Sequence, residues 1–259
     1  MILQHATWPE IEAYLTRTRG IVIPIGSTEQ HGPSGVIGTD AICAEAIAMA
    51  MARDRDILVG PTIALGVAQF NLRFPGTVSL RAATLMMVVS DYVKSLAVQG
   101  FTHFYFLNGH GGNIAPCHAA FQDLHGETSL APADSNAPVL HCKLRSWWEY
   151  ETANAMRHEL YGQWEGMHAT HRIEVAIAQA AIAATRRTMA LAKPEQLAPR
   201  VMRDMGGDRH LDADHHRKRF PDGRIGSDPS LATPEAGERL LAAAATDAAA
   251  DYAVFLADM

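Results

Sequence analysis

Two short apolar runs, each broken abruptly by a glycine-rich polar loop and each followed by a helical pattern, constrain this chain most strongly. Ile21-Val22-Ile23-Pro24-Ile25 has the length and β-branched content of a buried strand and stops at Gly26-Ser27-Thr28-Glu29-Gln30-His31-Gly32-Pro33. Residues 101–107 (FTHFYFL) form a second such run and stop at Asn108-Gly109-His110-Gly111-Gly112-Asn113. Further strands are expected at 57–61 and 139–142. Helices are expected at 41–53, 83–98, 114–124, 174–185 and from Thr233-Pro234-Glu235 to Leu256, where a cap, a first-turn proline and an acidic first turn coincide. Strands alternating with helices imply a largely parallel α/β protein, and such proteins place their chemistry where strand ends feed loops.

The two loops carry that chemistry. Glu29 and His31 alternate by two and project to one side of an extended backbone, while a loop of eight residues can bring back Asp40 from Gly38-Thr39-Asp40. In the second loop, glycine permits positive φ and close backbone approach, which holding an imidazole over a metal at a strand end requires. His110 is therefore a fourth candidate ligand. Each loop alone has a plainer reading, ordinary loop polarity for the first and an incidental histidine for the second.

Together the segments resemble the creatininase family of metal-dependent amidohydrolases. The stretch from Gly26 to Pro33, Gly38-Thr39-Asp40, Phe74-Pro75-Gly76-Thr77, the turn from Asn108 to Asn113, Gly226-Ser227-Asp228-Pro229 and Ala232-Thr233 match the family pattern in order across nearly the whole chain. The resemblance implies a three-layer α/β/α sandwich with a mostly parallel central sheet, two divalent metal ions per subunit, hydrolysis of a non-peptide C–N bond and a homohexamer. It assigns Glu29, His31, Asp40 and His110 to the metals, with Asp40 as the bridge. Some members supply a fifth ligand two residues after the histidine of the glycine turn. That position here is Gly112, so the role passes to Glu174 in His168-Ala169-Thr170-His171-Arg172-Ile173-Glu174, at a spacing one residue longer than the family's.

Three carboxylates and two imidazoles without a thiolate suit zinc, with manganese or iron as alternatives. Two such ions can sit roughly 3.5–4 Å apart, turn a shared water into a nucleophile near neutral pH and polarise the carbonyl it attacks. An amide nitrogen must be protonated to leave, and His168 matches the family's catalytic histidine, so His168 and Glu174 are the expected catalytic residues. His171, three residues on, is the nearest alternative to His168.

For substrate contacts, the aromatic stretch 146–166 offers Trp147, Trp148 and Trp164 as flat walls for a small planar amide, with core or interface packing as the other reading. Gly111 and Gly112 allow close approach beside them. Arg73 precedes the Phe74-Pro75-Gly76-Thr77 loop and could clasp an anionic group, or form a surface ion pair instead. The His- and Asp-bearing stretch 206–224 reads as a mobile or intersubunit loop, not as a second metal site.

Composition restricts the setting. A chain of 259 residues with no internal repeat is read as one domain, 1–259. Net charge of −6, with the one basic run Arg217-Lys218-Arg219, argues against nucleic acid. Cys43, Cys117 and Cys142 are scattered, so a disulfide framework is not expected and a reducing, cytoplasmic compartment fits. The first ten residues do not read as a signal peptide, and no membrane span of about 20 apolar residues is expected. The substrate is open, because Ser34-Gly35-Val36-Ile37, Met167 and Arg73 all depart from the family near the pocket. A small amide such as creatinine, a formamide derived from a pyrimidine, or a peptide-derived cofactor precursor are the candidate substrates, and a non-catalytic metal-binding scaffold is the alternative of another class.

Overall fold

The computed structural model describes residues 1–132, 138–161, 171–186, 212–225 and 228–257. Its strands are β1 (Gly20–Ile25), β2 (His103–Asn108) and β3 (His141–Ser146), parallel and in the order β1-β2-β3. Its helices are α1 (Trp8–Leu15), α2 (Thr39–Ala52), α3 (Ala82–Ala97), α4 (Ile114–Leu130), α5 (Glu151–Tyr161), α6 (His171–Ala181), α7 (Ala213–Arg219) and α8 (Pro234–Ala257).

The twofold alternation of strand side chains divides the interior into two cores. Ile21, Ile23 and Ile25 of β1 and Phe104 and Phe106 of β2 point to one face, where they meet Tyr14 of α1, Leu85, Val89 and Val93 of α3, and Phe121 and Leu124 of α4. Val22, Tyr105 and Leu107 point to the other, against Ile47 and Met51 of α2, Ile177 of α6, and Leu240, Ala244 and Tyr252 of α8. Both faces of the sheet are thus covered by helices, which explains why both strand runs carry apolar side chains on either face. Each such side chain contributes about 1.5–3 kcal/mol on full burial.

Several expectations change in detail. The segment expected as a strand at 57–61 meets β1 only through isolated bridges at Val59 and Ile63. Its hydrogen bonds to Val22 and Pro24 flank Gly60-Pro61, and Pro24 and Pro61 lack the N–H groups a continuous ladder needs. The aromatic stretch 146–166 contains α5. Part of 206–224, read as a mobile or intersubunit loop, is α7, whose N-cap Asp212 accepts a hydrogen bond from the His215 backbone N–H at 2.9 Å. His216 anchors α7 by burying its ring among Phe70, Phe74 and Phe220. α8 is long and apolar enough to cross a membrane by length and composition alone, with mean hydropathy 1.4, contrary to the expectation of no such stretch. In the fold α8 packs on α2, α5 and α6, and its buried alanines allow that close contact.

α2 starts against the loops leaving β1 and β2, and two glycines admit it. A Cβ on Gly26 would meet the backbone of Asp40 and Ala41, and one on Gly109 would run into the Asp40 carbonyl. Gly109→Ala should therefore destabilise the protein by about 1–3 kcal/mol, the usual cost of overpacking. Gly111, two residues on, has open space where its Cβ would go, so Gly111→Ala should change stability by less than about 0.5 kcal/mol. Urea unfolding of the two variants measures the contrast, and equal stabilities would refute the close-approach account.

Candidate metal centre

The loop after β1 leaves the sheet and returns to it. The Glu29 N–H donates to the Ile37 carbonyl at 2.8 Å, closing a detour that carries His31 outward and then delivers the chain to Thr39, the start of α2. Gly32 takes φ +70° at the bend, with Pro229 3.1 Å from where its Cβ would lie. Asp40 thereby sits in the first turn of α2, at the positive end of the helix, where a carboxylate is favoured. The Phe74-Pro75-Gly76-Thr77 loop lies alongside, since the Gln30 N–H donates to Thr77 Oγ1 at 3.2 Å.

Five side chains converge here, and all are buried: Glu29, His31, Asp40, His110 and Glu174. Asp40 lies at the centre. Its Oδ1 is 2.8 Å from His31 Nε2, and its Oδ2 is 2.9 Å from His110 Nδ1. Glu174 Oε2 stands on the His31 side, 3.5 Å from Nε2, and Glu29 Oε1 on the His110 side, 3.4 Å from Nδ1. The remote ring nitrogens face backbone carbonyls, His31 Nδ1 that of Glu29 at 3.1 Å and His110 Nε2 that of Val67 at 2.9 Å. Donation of an N–H to each carbonyl leaves the inner nitrogen unprotonated and available to a metal, the usual arrangement of ligating histidines.

The residues fit a cation. Glu29 Oε2 is buried without a hydrogen-bond partner, an expensive condition for a carboxylate oxygen unless something positive shares its space. One ligand atom each from Glu29, His31 and Asp40 lies within 4.8 Å of the other two. Oxygen and imidazole donors without sulfur suit borderline and hard divalent ions.

Without a metal, protons take the cation's place. For Asp40, burial acts to raise the pKa, but the two imidazoles outweigh it and hold the carboxyl below the usual range. Burial acts to lower the His110 pKa, yet Glu29, Asp40 and the Val67 carbonyl outweigh it and bring the value to about 9. His31 is held well above its ordinary value by Asp40 and Glu174 against the effect of burial. Glu29 is pushed up to about 6, chiefly by burial, and burial raises Glu174 as well.

A family model described as creatinine amidohydrolase matches residues 4–251. The chain belongs to the creatininase family. Over 106 residues it is 39% identical to the mycofactocin precursor peptide peptidase of Mycolicibacterium smegmatis, covering 39% of this chain and 42% of that one. Over 113 residues it is 32% identical to the creatinine amidohydrolase of Pseudomonas putida, covering 41% and 44%. The aligned part thus spans less than half the length of these relatives. A crystal structure of creatinine amidohydrolase superposes with TM-score 0.77 at 22% identity over 98% of this chain and 97% of its own. A manganese creatininase gives 0.76 at 22% identity over 98% of both chains, and a mutant creatininase of zinc–zinc type gives 0.76 at 21% over 98% of both. At such identities the likeness shows the fold, the three-layer α/β sandwich expected from the sequence.

Within this creatininase-family chain the third carboxylate of the cluster comes from α6. A Cβ on Gly112 would run into the Val67 carbonyl and lie 2.5 Å from His110 Nε2, so the glycine turn has no room for a side chain there. Glu174 reaches the cluster from across the site. The substrate expectations fare differently. Trp147 is 1% exposed and belongs to the core, with Trp148 packed edge-on against it, so Trp147 is a packing residue and not a pocket wall. Arg73 is exposed and forms a double contact with Asp214, at 2.5 and 2.8 Å, the surface ion pair of its alternative reading. Gly111 is exposed beside His110. Trp164 and His168 lie outside the described residues, and His171 is the first residue of α6.

Sequence reasoning passed over the amides that brace the site. The His110 N–H donates to Asn108 Oδ1 at 3.0 Å, and Gln30 Nε2 donates to Asn71 Oδ1 at 3.1 Å and to the Gly223 carbonyl at 3.0 Å. Asn108 and Asn113 at the two ends of the glycine turn were the available signal, since asparagine side chains satisfy exposed loop backbone.

Because His110 holds its proton up to about pH 9, metal uptake must displace it. Affinity for zinc should rise with pH between about 6.5 and 9, with net proton release visible when calorimetry is repeated in buffers of different ionisation enthalpy. The metal-free protein should behave oppositely. A raised histidine pKa contributes stability below the unfolded value near 6.5 and loses it as pH climbs through the folded value. Its melting temperature should therefore fall from pH 7 to 10, and pH-independent zinc affinity would refute this account.

Proposed function

We propose that this chain is a metal-dependent hydrolase of an amide C–N bond, holding two divalent ions between five side chains with Asp40 shared. The observation that carries the reading is the division of the site by Asp40, whose two oxygens face separate histidine–glutamate pairs, His31 with Glu174 and His110 with Glu29. The zinc–zinc and manganese forms of creatininase neighbours support zinc or manganese here, and the oxygen and imidazole donors keep iron as a further alternative. Bound in this site, the two ions would lower the pKa of a water and polarise a substrate carbonyl.

The chain's own groups supply the remainder. The carbonyls of Glu29 and Val67 orient both imidazoles, and burial of all five ligands keeps bulk water away. Departure of the nitrogen needs a proton donor, a role given to His168, with His171 as the alternative. A cytoplasmic homohexamer remains part of this proposal, and the free Cys43, Cys117 and Cys142 accord with a reducing compartment.

Two substrate classes stand. A small cyclic or linear amide follows from the family. A peptide-derived cofactor precursor is favoured by the 39% identity to a mycofactocin precursor peptide peptidase, against 32% to a creatinine amidohydrolase. Zinc- or manganese-loaded protein assayed on creatinine and on a mycofactocin precursor peptide separates them.

Asp40→Asn should lose both ions and turnover, while His110→Ala and Glu174→Gln should each weaken one ion selectively. His168→Ala should keep both ions and lower kcat by about 10²–10⁴. Metal analysis alongside kinetics checks all four. Two ions per subunit with full activity in Asp40→Asn would refute the assignment.

A further inference from the structure

His110 is oriented by a carbonyl that is itself held in place. Its Nε2 lies 2.9 Å from the Val67 carbonyl oxygen, in a loop joined to the sheet by no regular strand. The Val67 N–H, on the same residue, donates to Asn113 Oδ1 at 3.2 Å. The Asn113 amide donates in turn through Nδ2 to the Gly26 carbonyl at 2.9 Å, at the end of β1, three residues before Glu29. One carboxamide therefore ties the loop after β1, the loop at 66–67 and the start of α4. Asn113 is fully buried, and Gly66 admits it, since a Cβ there would stand 2.5 Å from Asn113 Oδ1 and 3.1 Å from the His110 ring.

The consequence is chemical. An imidazole offers a metal whichever nitrogen lacks the proton, and the hydrogen bond at the other nitrogen decides which that is. The Val67 carbonyl can only accept, so it selects the Nε2–H form and turns Nδ1 toward Glu29 and Asp40. His31 takes the reverse form, because its Nδ1 faces the Glu29 carbonyl and its Nε2 faces Asp40 and Glu174. The first carbonyl depends on Asn113. The second comes from the chain two residues before His31 and does not.

We propose that Asn113 is a positioning residue that sets the tautomer of His110 through Val67, and so governs the half of the site formed by His110, Glu29 and one oxygen of Asp40 while leaving the His31–Glu174 half intact. This inference rests on the two-ion reading above.

The test compares the zinc-loaded full-length protein with Asn113→Ala and Asn113→Asp, which keeps the acceptor for Val67 but removes the donor to Gly26. Zinc titration should show one of the two affinities weakened by about 10–100-fold in Asn113→Ala, the usual effect of losing a group that orients a ligand, and less in Asn113→Asp. With ¹⁵N-labelled histidine, the wild type should give a zinc-bound Nδ1 and protonated Nε2 for His110, assigned by its loss in His110→Ala. Asn113→Ala should lose that pattern while the His31 signals stay. Unchanged affinities and signals in Asn113→Ala would overturn the proposal. So would equal weakening of both sites in step with a lowered melting temperature, the mark of a structural role only. A wild type that binds fewer than two ions would overturn the two-ion reading instead, and the His110 ring signals would still decide the role of Asn113.

Discussion

The structure turns on one buried carboxylate. Asp40 sits between two imidazoles, in contact with a different one through each oxygen, and the segments around it are arranged so that it can stay there. A buried, ionised carboxylate costs several kcal/mol unless positive charge lies close by. Here that charge comes from imidazolium protons when the site is empty of metal, and the same geometry offers a metal the same place. Its position in the first turn of α2 adds the favourable field of the helix end.

Holding Asp40 there requires the backbone of α2 to approach two strand ends more closely than side chains allow. Gly26 and Gly109 provide that room, and the apolar faces of α2 lock the approach by packing Ile47 and Met51 under β1 and β2. The two-core sheet thus acts as a jig. Parallel register puts Ile25 opposite Asn108 and Asn108 opposite Ser146, so the loops that follow all leave from one edge. Everything chemical in the described residues gathers at that edge, including Glu174, which enters from the helical layer and not from the sheet.

Glycine has a second role at Gly112. A side chain at that position would collide with Val67 and His110, and the third carboxylate of the cluster, Glu174, stands on α6. The bare glycine lets the turn pack tightly against the 66–67 loop. That packing brings the Val67 carbonyl within reach of His110, so the lack of a side chain at Gly112 and the orientation of the His110 ring share a cause.

How much of this was legible varies with the range of the interactions. Glu29, His31, Asp40 and His110 stand in motifs whose glycines and strand runs announce them, and the alternation of strands with helices gives the layered fold from local pattern alone. The aromatic stretch was ambiguous, with Trp147 buried in the core, because burial of an aromatic ring depends on which layer covers it. Arg73 was similarly ambiguous, since its partner Asp214 lies 141 residues away. The bracing by Asn71, Asn113 and the Gly223 carbonyl was hidden for the same reason. By itself the sequence determined the donor types, the strand ends that carry them and the glycines that let them close. Only the tertiary structure decided which carboxylate oxygen faces which imidazole, and which backbone carbonyl fixes each ring, because those choices are made by contacts between segments distant in the chain.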